Sequence, residues 1–374
     1  MGTKTRLLGC GTTLLLILTA CGEHETPLAP GDGVDADLAP EEAAAASPAG
    51  AALVSAVRFG TPQRWSSSFC RKGEICLIAD FDGDRKDDAI AFNHGVNSLN
   101  QVYVARSSGT GFGPAEKWSN LFCRSTETCA VGDVNNDGKA DIIAFTRGTA
   151  KDVWVALSNG SSFGAPRKGS DFFCRAGEIC KVADVNRDSR ADLVAFRHGV
   201  NGSNAVFVAL SNGSSFGPAQ LWSSHFCTAT QTCEVGDVTG SSRSALIAFT
   251  RDPNHEVWVG LSTGTGFRPP EMWSLFFCRT GEVCMSEDFN GDNRYDLIAF
   301  NHGLDRANAV FVATSNGTFG TPATAFNPAA KASDYFCTKS QTCAVGDVTG
   351  DNRADVIAFT RGATPQAWVG VSLP

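Results

Sequence analysis

The sequence predicts an all-β fold: a six-bladed β-propeller of four-stranded antiparallel blades, with an N-terminal strand closing the last blade. Three observations carry the prediction. A unit of about fifty residues returns six times, its acidic stretches beginning at Asp80, Asp133, Asp184, Asp237, Asp288 and Asp347, at spacings of 53, 51, 53, 51 and 59 residues. Each unit holds four short runs rich in Val, Phe and Trp. The last unit lacks its fourth run, and a matching run precedes the first unit. A period of this length marks an array whose units bury their faces against one another, and four strands per unit describe a propeller blade.

The third unit shows the elements in order. Residues 180–184 (CKVAD), 192–196 (DLVAF), 205–210 (AVFVAL) and 216–222 (FGPAQLW) are its expected strands. Ser-Asn-Gly at 158–160 and 211–213 supplies the glycine that a tight hairpin between the third and fourth strands requires. Every second strand ends in Ala-Phe, from Ala91-Phe92 to Ala358-Phe359, a small residue beside a large one, as expected where blades taper towards an axis. The final unit stops in its third strand at residues 367–372. Residues 57–65 (VRFGTPQRW) match the fourth strands at Phe112-Gly113-Pro114 and Phe163-Gly164 and are expected to close the ring.

The chain begins with a leader. Lys4 and Arg6 precede the apolar run Leu7 to Leu18, which is too short to span a bilayer and reads as an export signal over residues 1–20. Leu18-Thr19-Ala20-Cys21 resembles a bacterial lipoprotein box, which implies a lipid on Cys21; ordinary secretion is the alternative. Residues 21–56 are dominated by Pro, Ala, Gly and acids. Such a composition cannot offset its ordering entropy, and a tether is expected there. The array then occupies 57–374. The expected location is the cell envelope, at the outer membrane or cell surface, with the lipid as the sole membrane contact.

The formal charge of the chain is −8, and loss of a leader with two bases and no acid makes the remainder more negative. This excludes nucleic acid and anionic lipid as partners and suits a protein that holds cations. Cys10 and Cys21 aside, the cysteines form the pairs Cys70/Cys76, Cys123/Cys129, Cys174/Cys180, Cys227/Cys233, Cys278/Cys284 and Cys337/Cys343. Constant spacing in an exported chain predicts local disulfides. Zinc would want shorter spacing and accompanying histidines.

In register, the acidic loops read DFDGDRKDD, DVNNDGKAD, DVNRDSRAD, DVTGSSRSA, DFNGDNRYD and DVTGDNRAD. Oxygen side chains at positions one, three, five and nine, with a carbonyl at seven, form a ligand set for a hard cation such as calcium. The expected ligands are Asp80, Asp82, Asp84 and Asp88; Asp133, Asn135, Asp137 and Asp141; Asp184, Asn186, Asp188 and Asp192; Asp288, Asn290, Asp292 and Asp296; and Asp347, Thr349, Asp351 and Asp355. Surface turns that merely favour Asp and Asn would not produce four spaced acceptors in five copies. The fourth loop has Ser241 and Ala245 at ligand positions and is expected not to bind. An EF-hand is excluded, since position twelve is Ala.

The loop pattern with a downstream Phe-Gly-x-Pro resembles the FG-GAP, or VCBS-type, repeat of integrin alpha chains and many exported bacterial proteins. The resemblance covers residues 57–374 and implies a calcium-stabilised propeller. It spans adhesion proteins, lectins and domains attached to polysaccharide-cleaving enzymes, so it selects no single activity. The chain departs from the pattern in its per-blade cysteine pair, its altered fourth loop and Phe267-Arg268 in place of Phe-Gly.

The acidic loops and Ser-Asn-Gly turns are expected on one face of the disc, and the disulfide loops and second-to-third-strand connections on the other. On that second face the units alternate. Odd units read AFNHGVNSLN, AFRHGVNGSN and AFNHGLDRAN, whereas even units read AFTRGTAKD, AFTRDPNHE and AFTRGATPQ. His94, His198 and His302 therefore recur, as do Arg147, Arg251 and Arg361. Even units carry Trp154, Trp258 and Trp368 where odd units have Tyr103, Phe207 and Phe311. These sets are expected either to line three sugar-holding grooves or to pin loops to neighbouring blades. Catalysis needs one asymmetric constellation of groups. His225, Asp252, His255, Lys331 and Asp334 break the repeat but form no recognisable pair. The expected function is a monomeric adhesion or binding module for carbohydrate or a protein, not an enzyme; a polysaccharide-cleaving enzyme or an envelope assembly scaffold is the alternative.

Overall fold

A computed structural model describes residues 56–317, 324–362 and 364–374. The signal, Cys21 and the tether lie outside the described residues. Among the described residues no helix is long and apolar enough to cross a membrane.

Six antiparallel sheets of four strands form the array, and the innermost strands of successive blades touch in sequence until the sixth meets the first. The ring is closed. Blade 1 contains Ile75–Ala79, Asp88–Phe92, Val102–Ala105 and Glu116–Ser119. Blade 3 contains Ile179–Ala183, Asp192–Phe196, Val206–Ala209 and Gln220–Ser223. The fourth strand thus starts later than the sequence pattern predicts. Phe216 forms only an isolated bridge to Ser211 before the glycine and proline turn the chain. In blade 6 the strand Gln63–Ser66 pairs with Gln366–Gly370, and Phe59 bridges Ser372.

Every second strand is fully buried, so it reads as a continuous apolar run rather than an alternating one. The Ala of Ala-Phe stands in register opposite the inner disulfide cysteine: Ala91 faces Cys76, Ala195 faces Cys180, Ala299 faces Cys284 and Ala358 faces Cys343. The small side chain leaves room for the bridge. All six expected disulfides are formed: Cys70–Cys76, Cys123–Cys129, Cys174–Cys180, Cys227–Cys233, Cys278–Cys284 and Cys337–Cys343, with Cα separations of 5.7–6.0 Å. Disulfides of this kind belong to an oxidising, exported environment.

A hydrogen-bond ladder joins the blades. The amide of each Phe-Gly phenylalanine donates to the fourth strand of the preceding blade, as Phe112 to Trp65 O and Phe163 to Trp118 O. Four of these junctions also pack that Phe against Trp65, Trp118, Trp222 or Trp273 at centroid distances of 5.3–5.6 Å. Phe267 keeps the ladder although Arg268 replaces glycine, because the bonds use backbone groups. In blade 5 Phe326 takes the role, and the longer spacing before Asp347 reflects extra chain ahead of it.

Candidate functional site

The acidic loops sit between the first two strands of each blade. Residues four and six of the loop adopt left-handed backbone, for example Gly83 and Arg85 at φ 83 and 67°. This folds their amides back onto the position-one carboxylate, so Asp80 accepts from Gly83 N at 2.7 Å and Arg85 N at 2.8 Å. Asp184, Asp288 and Asp347 are held in the same way. The position-nine carboxylates lie beneath. Asp141 accepts from Val134 N at 3.1 Å and Ser158 N at 2.8 Å, and Asp88, Asp192, Asp296 and Asp355 each accept from the equivalent amides. Burial pushes Asp88, Asp141, Asp192 and Asp355 up to about 7 and Asp296 to about 8.

The first of these loops fits a hard cation. Carboxylate oxygens of Asp80, Asp82 and Asp88 lie within 4.8 Å of one another, and oxygen is the donor calcium takes. The basic residue at position seven pairs with the position-five acid, as Lys86 with Asp84, Lys139 with Asp137, and Arg353 with Asp351. In the fourth loop Ala245 removes the deep carboxylate, and Asp237 is bonded instead by Thr239 and Ser242. In the sixth, the Thr349 hydroxyl donates to Asp347 Oδ1 at 3.3 Å.

The expected arrangement of faces holds. Serines of the third-to-fourth-strand turns bond to the acidic loop of the preceding blade, as Ser158 Oγ to Phe81 O and Ser211 Oγ to Val134 O. On the opposite face the recurring histidines and arginines meet the next blade's disulfide loop. His94 and His198 Nε2 lie 2.9 Å from Glu127 O and Gln231 O, and His302 Nε2 lies 3.2 Å from Gln341 O. Arg147 donates to Thr128 and Glu178 O, and Arg251 donates to Thr232, Arg279 O and Glu282 O. Burial lowers the pKa of Arg361 from the ordinary guanidinium value. His94, His198, His302, Arg147 and Arg251 pin loops. The three histidines also lie beside disulfides, but a bridged sulfur offers no thiolate to a metal.

Cys284 forms the expected disulfide with Cys278. Its sulfur also accepts from Arg251 Nη1 at 3.8 Å. In blade 3 the other half of the pair, Cys174, takes the equivalent contact from Arg147 at 3.5 Å. The physical reason is that the even-blade guanidinium reaches into the next blade's disulfide loop for its carbonyls and so comes to rest on a sulfur, a weak acceptor. The disulfide therefore both closes the loop and helps seat the arginine.

Grooves do open at the blade junctions, built largely from other residues. The residue before each Phe-Cys is exposed at the lip: Leu121, Phe172, Phe276 and Tyr335 among them, the last two 60% exposed. Blade 3 has a groove of about 670 Å³ between Phe172 and Phe207, and blade 5 one of about 720 Å³ between Phe276 and Phe311. Even blades have smaller ones, about 230 and 330 Å³ in blades 2 and 4, because Trp154 and Trp258 occupy the floor. Blade 1 carries Ser68 at the lip and lacks the aromatic wall. The lip could have been found by aligning the residues that precede each Phe-Cys, a position just outside the strands.

One unrepeated polar group lies towards the axis. The Tyr295 hydroxyl donates to Glu287, and Asp87 accepts from Asp347 N at 2.9 Å in the space left by Gly346. Burial raises Glu287 to about 7 and Asp87 well above the usual carboxylate range. Sequence reasoning missed this trio, since Asp87 and Tyr295 occupy loop position eight, where the other copies have Ala or Ser.

Comparison with known proteins follows the same lines. Residues 80–144 and 288–358 match the FG-GAP-like repeat family. A lectin from Agrocybe aegerita, solved for its specific recognition of non-reducing terminal N-acetylglucosamine, superposes with a TM-score of 0.56 at 26% identity, over 77% of this chain and 74% of the lectin. The Photorhabdus luminescens Tc holotoxin pore superposes with a TM-score of 0.56 at 16% identity, over 84% of this chain and 14% of its own, a likeness of fold alone. No curated protein matches the sequence.

Proposed function

We propose that this FG-GAP-repeat β-propeller is a carbohydrate-binding module whose sugar sites are the junction grooves of blades 3 and 5. The observation that carries the reading is the pair of aromatic walls, Phe172 with Phe207 and Phe276 with Phe311, each bordering a groove of pyranose-admitting size. The apolar face of a sugar packs on an aromatic ring, and a few convergent polar groups fix its hydroxyls. Arg175 and Glu178 stand in one groove, and Arg279, Glu282 and Asn327 in the other. The N-acetylglucosamine lectin, alike over most of both chains, supports the same class of ligand. Two weak sites on one rigid disc suit a repetitive glycan, through avidity.

In this reading calcium fills the acidic loops of every blade except the fourth. Each ion would join positions one, three, five and nine and stiffen the hairpin that carries the blade-to-blade serine bonds. His94, His198, His302, Arg147, Arg251 and Arg361 act as positioning residues that set the disulfide loops behind the lips. A lipid on Cys21 would hold the monomeric propeller at the outer membrane or cell surface. Calorimetric titration with oligosaccharides at millimolar calcium should show binding at the two grooves, with Phe172→Ala removing the blade 3 site and Phe276→Ala the blade 5 site. Absence of binding across a glycan array at that calcium level would sink the proposal.

A further inference from the structure

We infer that the blade 3 groove takes an anionic saccharide, a sugar bearing a carboxylate or sulfate, while the blade 5 groove takes a neutral one. The inference rests on the carbohydrate reading above and deepens it. The two grooves share a frame but differ in charge. At the position where blades 1 and 5 carry Asn93 and Asn301, blade 3 carries Arg197, whose guanidinium lies 5.1 Å from the Phe207 centroid. At the position where blade 4 carries the buried Trp273 in its fourth strand, blade 2 has Gly169, which lines the blade 3 groove and opens its wall down to Phe216.

The cations around the lip decide the class of ligand. Arg175 and Lys151 lie over the Phe172 ring, 4.7 and 4.9 Å from its centroid, and neither head group pairs with a carboxylate among the described residues. The acids nearby are occupied. Glu178 accepts from Arg175 N at 2.7 Å and lies 3.4 Å from Arg197 Nε, while Asp152 and Asp171 share Lys168. In blade 5 the corresponding Arg279 is neutralised by Glu282 and Asp305, and His255 stands where Lys151 does, edge-on to Phe276. Two unpaired cations flanking an aromatic wall recognise an anion on a ring that stacks there; the blade 5 groove offers no equivalent.

The test is calorimetry of the full propeller with three probes: a uronic acid oligosaccharide, a sulfated oligosaccharide and a neutral N-acetylglucosamine oligomer. One or both acidic probes should bind at one site per chain, weaken with added salt, and lose roughly tenfold in affinity in Arg175→Gln or Lys151→Gln. Which acidic probe responds separates carboxylate from sulfate. Arg197→Asn, which restores the residue of blades 1 and 5, guards against misfolding as the cause. Neutral binding to blade 5 should be untouched by all three variants. Binding of the neutral probe alone, or acidic binding indifferent to these variants, overturns the inference and leaves the carbohydrate reading standing; failure of every probe overturns both.

Discussion

The position-nine carboxylates show how a single side chain can serve two ends. Asp141 is fully buried and ties the acidic loop to the neighbouring turn through two amides. Replacing it with Ala would orphan both, and loss of about 2–4 kcal/mol is expected in denaturant unfolding. Its raised pKa also sets a sign. A carboxyl that holds its proton more tightly when folded stabilises the fold increasingly as pH falls from about 7 towards 4. Metal-free protein should therefore melt higher at pH 5 than at pH 8. Calcium, which favours the ionised form, should flatten or reverse that slope. A melting series in chelator and in calcium checks both, and identical slopes would count against metal binding at these loops.

Among the elements, the disulfide loop is the part that organises the outer face. It precedes the first strand, receives the preceding blade's His or Arg, and places the lip residue one step before the buried Phe. That Phe packs on the Ala-Phe ring of the preceding blade, as Phe226 on Phe196 and Phe277 on Phe249, at 6.4 and 6.2 Å. Replacing Cys174 and Cys180 together by Ser should cost about 2 kcal/mol on the loop-entropy account. It should also weaken sugar binding at blade 3 more than at blade 5, because the Arg147 contacts to Cys174 and Glu178 O lose their fixed partner. Site-resolved titration reads the difference. Replacing Cys278 and Cys284 should reverse the preference, since Arg251 leans on that bridge in the same way. The strand assignments were legible from Val, Phe and Ala-Phe runs; the late start of each fourth strand was not, because the glycine and proline after the Phe turn the backbone away from the third strand.

For the complete ring, closure depends on Gln63–Ser66 finishing blade 6. A chain lacking residues 1–66 should expose the edge of Gln366–Gly370, unfold at lower temperature and self-associate, as scattering during a melt would show. Calorimetry with calcium should count five sites, or four if Thr349 is too poor a donor.

Six blades, their disulfides and the closure were readable from the chain alone, because each is written locally and repeated: a period, a cysteine spacing, a missing strand restored at the other end. The loop geometry was equally legible, since nine consecutive residues supply their own acceptors and turns. Three-dimensional packing settled the grooves, because Phe172, Gly169 and Arg197 come from two blades, one from a strand and two from connections. It also settled that Cys284 serves an arginine as well as its partner cysteine, a contact made across a blade junction. No spacing along the chain reveals that these residues meet. The same holds for Asp87 and Glu287, brought together from blades 1 and 5 by the closing of the ring.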